Sequence, residues 1–167
     1  MILLFLKLGP DWIPEAWSKS AIVILRSSSD VEKNPYPYLS HGSIRASPTS
    51  GSQAPISDRQ RAKTEACLVS LGIVLLELLF GKSLETLPFR SQFLGADGQP
   101  HTFTDRFTAL QWQKDVEKEF GNGIAGAIKR CLVCSFEPDA DLTSSAFVRA
   151  VWEYIARPVE EFARAFR

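Results

Sequence analysis

The chain has 167 residues, equal numbers of basic and acidic side chains and a formal net charge of zero; 45% of its residues are hydrophobic and 23% charged. That balance describes one ordinary globular domain with enough apolar material for a core, and it excludes the basic footprint that nucleic-acid binding requires. Three cysteines, an odd number, build no disulfide framework and suit a reducing, cytoplasmic setting.

The run Met1-Ile2-Leu3-Leu4-Phe5-Leu6 lacks a positive leader and is interrupted by Lys7, so it reads as the end of a buried helix and not as a signal peptide. We expect a chain truncated at its N-terminus. Trp12-Ile13-Pro14 predicts a turn, and Glu15–Lys19 a short helical piece that proline can open. Trp12 and Trp17 flank this turn as large amphipathic anchors, for the core or for a partner. The short β-branched run Ala21-Ile22-Val23-Ile24-Leu25 predicts a strand. Residues 34–57 are rich in proline, serine and glycine and predict a loose region, with 40–57 a flexible loop within the domain.

A helix is expected over 58–80, capped by Ser57 or Asp58 and stopped by Gly81. Its first half is polar. Its second half is apolar on nearly every side: Leu68, Leu71, Leu75 and Leu79 share one face, and Cys67, Val74 and Leu78 another. Such a helix belongs in the middle of a domain. The apolar run from Ala66 to Phe80 is shorter than the ~20 residues a membrane span needs and contains Glu77, so no span is expected.

Residues 88–103 predict a loop. Thr104 or Asp105 is then placed to cap a helix over 105–120, with Phe107, Leu110, Val116 and Phe120 near one face. Gly121-Asn122-Gly123 breaks the chain before a helix at Ile124–Val133. Asp139-Ala140-Asp141 makes a turn, and Thr143 caps a last helix carrying Phe147, Val151, Tyr154 and Ile155. Pro158 should end or kink that helix, while Val159, Phe162 and Phe166 extend its apolar stripe.

The motifs that suggest chemistry do not survive their context. Gly121-Asn122-Gly123-Ile124-Ala125-Gly126 fits G-x-G-x-x-G, but a helical pattern precedes it where a nucleotide fold needs a strand. Cys131-x-x-Cys134 is a single pair, whereas structural zinc takes four ligands. His41 lies beside Ser40 and Ser43 in the loose region, with nothing to preorganise a nucleophile.

The segment Ser70-Leu71-Gly72-Ile73-Val74-Leu75-Leu76-Glu77-Leu78-Leu79-Phe80-Gly81-Lys82 resembles the central helix of the protein-kinase C-terminal lobe. The stretch Cys131-Leu132-Val133-Cys134-Ser135-Phe136, with Leu142 and Phe147, is similar to the last helices of that lobe. With Pro10–Lys19, Pro35–Leu39 and Arg157-Pro158-Val159-Glu160, the chain resembles a fungal family of uncharacterised kinase-like C-lobe domains, often accompanied by helical regions of the prion-inhibition type. The resemblance implies a mainly α fold with minor β, a degraded C-lobe around a buried helix at 58–80.

The parts of a working kinase are missing from this stretch. There is no His-Arg-Asp and no Asp-Phe-Gly, and Cys67 stands where the kinase helix begins with an aspartate. The function implied is a non-catalytic, pseudokinase-like interaction or regulatory domain of a fungal multidomain protein, not an enzyme. It would have no cofactor, metal or small-molecule substrate, and other protein domains as partners. The alternative is the C-terminal part of a divergent phosphotransferase whose N-lobe and catalytic motifs lie outside this chain. The residues singled out for structure or interaction are Trp12, Trp17, Leu71, Gly72, Leu75, Glu77, Cys131 and Phe136.

Overall fold

The computed structural model describes residues 22–24, 37–39, 56–137, 139–141 and 144–165. The expectations placed on residues 1–19, on Trp12 and Trp17 and on the 40–55 loop lie outside the described residues, as do Leu142, Thr143 and Phe166. The described part is mainly helical.

Strands β1 (Ile22–Ile24) and β2 (Pro37–Leu39) pair antiparallel, with Ile22 opposite Leu39, Val23 opposite Tyr38 and Ile24 opposite Pro37. The first strand lies inside the 21–25 expectation. The second corrects the reading of 34–57 as wholly loose. Proline at the start of a strand in a two-stranded ladder is tolerated, because every strand there is an edge.

Helix α1 runs from Ile56 to Phe80, 25 residues or about 37 Å. It starts two residues before the expected boundary, so Ser57 and Asp58 lie inside its first turn. There the carboxylate of Asp58 favours the positive end of the helix dipole. Gly81 follows the helix with φ +62°, the left-handed conformation that closes helix ends.

Two short 3₁₀ turns, Leu84–Thr86 and Pro88–Phe93, follow. The second replaces part of the loop expected over 88–103. Helix α2 (Thr104–Trp112), a 3₁₀ turn (Gln113–Asp115) and α3 (Val116–Phe120) together occupy the span expected as one helix. Neither Thr104 nor Asp105 is the cap. Phe103 holds that position, and Thr104 turns inward: its hydroxyl donates to Phe93 O (2.7 Å) and accepts from His101 N–H (2.9 Å). The core-facing side of α2 is therefore Thr104, Thr108, Ala109 and Trp112, and Phe107 faces solvent, against expectation. A 3.6-residue period constrains a face, but the hydroxyls of Thr104 and Thr108 are bonded to backbone carbonyls, which makes their burial cheap.

Helix α4 (Asn122–Val133) carries Ile124, Ala125, Ala127, Ile128, Cys131 and Leu132 into the core. Its broadest contact is with α1. Helix α5 (Ser145–Val151) begins after Ser144, whose carbonyl accepts from Val148 N–H (3.0 Å), so the N-cap is Ser144 and not Thr143.

A five-residue π segment, Trp152–Ala156, leads directly into α6 (Arg157–Ala165). Pro158 does not end the chain of helices. The wider π register lies immediately before it, where Arg157 N–H bonds back to Trp152 O. The irregularity falls next to the one residue that has no N–H to give to an α-helical ladder.

The core is continuous across these pieces. Cys67, Leu68, Leu71, Val74, Leu75 and Leu76 of α1 meet Ile124, Ile128, Cys131 and Leu132 of α4, and Phe147, Val151 and Ile155. Aromatic rings close the far end of α1: Phe80 stacks on Trp112 at 4.9 Å and meets Phe120 edge-on at 5.2 Å, and Phe120 in turn meets Phe162 of α6 at 6.0 Å. The expectation of a helix dry on all sides is corrected at one residue. Leu78 is 72% exposed, although Leu76, two residues back along the chain, is fully buried.

Candidate functional site

Four of the singled-out residues meet where α1 crosses α4. Leu71 and Leu75 lie in the core cluster with Cys131. Gly72 is the point of closest approach. A Cβ at that position would stand 2.8 Å from Leu132 Cδ2 and 3.0 Å from Cys131 Cβ, closer than side-chain carbons pack. Glycine here is a packing requirement and not a backbone one, since the residue lies mid-helix.

Glu77 lies further along α1, on another side of the helix. Its Oε1 accepts the backbone N–H of Leu84 at 2.8 Å and so fixes the chain as it leaves α1. Phe136 lies beyond α4 and meets Phe147 edge-on at 5.1 Å, which ties the segment after α4 to α5. These six residues thus build the scaffold; the two tryptophans lie outside the described residues.

The C-terminal end of α4 is the polar centre of the described chain. A helix end leaves carbonyls without intrahelical partners, and here arginines take them. Arg106 of α2 donates from Nε to Leu132 O (2.9 Å) and from Nη2 to Val133 O (3.2 Å). Arg130 donates to Ser135 O (3.3 Å), and its guanidinium lies 4.2 Å from the centre of the Tyr154 ring.

Cys134 adopts the left-handed conformation (φ 57°) as the C-cap, its N–H bonded to Arg130 O at 2.8 Å. Its thiol folds back onto Cys131 O (3.2 Å) and reaches Glu65 O of α1 (3.6 Å). Nearby, Arg61 pairs with both Glu65 (3.2 Å) and Asp139 (3.3 Å). Burial raises both thiol pKa values: Cys131, with the neighbouring Cys134 adding to the effect, lies far above the usual thiol range, and Cys134 is pushed up to about 11 even though Arg106 pulls the other way. Both thiols are therefore protonated near neutrality, and a protonated thiol is a poor nucleophile and a poor ligand. The Cys-x-x-Cys spacing serves a helix end.

The opposite end of α4 holds the G-x-G-x-x-G sequence. Gly121 has φ +87° and makes the turn between α3 and α4, while Gly123 and Gly126 lie within α4. Gln113 Nε2, in the 3₁₀ turn before α3, donates to Ala125 O (3.2 Å) and ties that turn to α4.

A different surface gathers aromatic rings in water. Phe103 and Phe107 at the start of α2 are 53% and 45% exposed, with ring centres 6.0 Å apart. Phe93 lies 6.3 Å from Phe107, and His101 6.4 Å from Phe103. The backbone beneath is fixed by Thr104 and by the Arg90–Asp105 ion pair at 2.6 Å. Sequence reasoning missed this patch because it grouped Phe107 with Leu110, Val116 and Phe120 on one face. It also missed Arg106 and Arg130. A basic residue in the last turn of a helix is a readable signal for Arg130, but Arg106 reaches its carbonyls from another helix.

Among the described residues, no group of three or more His, Cys, Asp or Glu side chains is placed to hold a metal ion, and no helix is long and apolar enough to cross a membrane. The family model described as Domain of unknown function (DUF7580) matches residues 2–161. The chain belongs to that family. Neither a curated protein nor a solved structure matches it.

Proposed function

We propose that this domain acts by binding other proteins and not by catalysis, as a pseudokinase-like regulatory module of a fungal multidomain protein. The observation that carries this reading is the engagement in architecture of five chemically capable side chains among the described residues. Glu77 holds a backbone N–H, Arg106 and Arg130 hold carbonyls at the end of α4, and Cys131 and Cys134 are protonated at neutral pH. The exposed rings of Phe103 and Phe107 offer the kind of surface that protein contacts use, large apolar area on a fixed backbone. The kinase-like element of the proposal rests on the resemblance of the 70–82 helix, an argument from fold and not from a site.

The test is a thermal melt with and without ATP and magnesium. A ligand that binds the native state must raise its melting temperature. No shift is expected. A saturable rise of several degrees would overturn the proposal and favour the divergent phosphotransferase.

A further inference from the structure

We draw no further inference here: the strongest candidate, the open cavity of about 360 Å³ beside the start of α4, lined by Gln113, Lys114, Glu117, Asn122 and Lys129, rests on a helix N-terminus and exposed lysines, with no buried unpartnered group aimed into it to point to a ligand.

Discussion

Leu76 and Leu78 stand two residues apart on one helix, one fully buried and the other 72% exposed. The same contrast separates two larger regions. At the crossing of α1 and α4, apolar side chains close on each other around Gly72 until no methyl group can be added. On the outer side of α2, equally apolar rings of Phe103 and Phe107 touch each other and water. Residue type is alike in the two places. What differs is whether a neighbouring helix covers it. The first region carries the stability of the fold. The second leaves about half of each ring in water and so contributes less to it.

The sharpest way to break this contrast is to add volume at the crossing. Gly72→Val places branched carbons against Leu132 and Cys131 and is expected to cost about 2–3 kcal/mol, read as a lower urea midpoint at an unchanged slope. An unchanged midpoint would mean that α1 and α4 are not in close contact in solution.

A smaller effect is expected at the end of α4. Arg106→Met keeps the stem but removes both donors from Leu132 and Val133 carbonyls, at a cost of about 1–2 kcal/mol in the same titration.

The thiols give a subtler signature, in pH. Each holds its proton more firmly in the folded state than the ordinary value of 9.0. Stability from these groups is therefore complete below pH 9. As pH rises further the unfolded chain loses its protons first, so stability falls, for Cys134 until pH reaches about 11. Urea midpoints measured across this range should drop less steeply in Cys134→Ala than in the wild-type chain. Parallel curves would place that thiol in water.

Much of this fold was legible because its strongest signals are local. The apolar run of α1 and the Gly81 stop located the helix to within two residues at its start and at its last residue. Gly121 separates two helices as expected, although Asn122 and Gly123 already belong to the second. The failures were tertiary. Period alone could not say that Thr104 and Thr108 would be buried by bonding to carbonyls while Phe107 was left outside. Nor could it show that Leu78 would emerge from the apolar half of α1, because nothing in the sequence of α1 states how far its neighbours reach. At the candidate site, Gly72, Glu77 and Cys131 were singled out from the resemblance of the 70–82 and 131–136 stretches. The clamp made by Arg106 was not, since it joins residues 26 and 27 positions apart.

Leu76→Ala and Leu78→Ala make the same chemical change on the same helix, and their paired urea denaturation isolates coverage from composition. Leu76→Ala should lose about 3 kcal/mol, from transfer and the cavity left behind. Leu78→Ala should stay within about 0.5 kcal/mol of the parent chain. Equal losses in both variants would contradict the assignment of Leu76 to the core and of Leu78 to the uncovered side of α1, and with it the division between a closed crossing and an open surface.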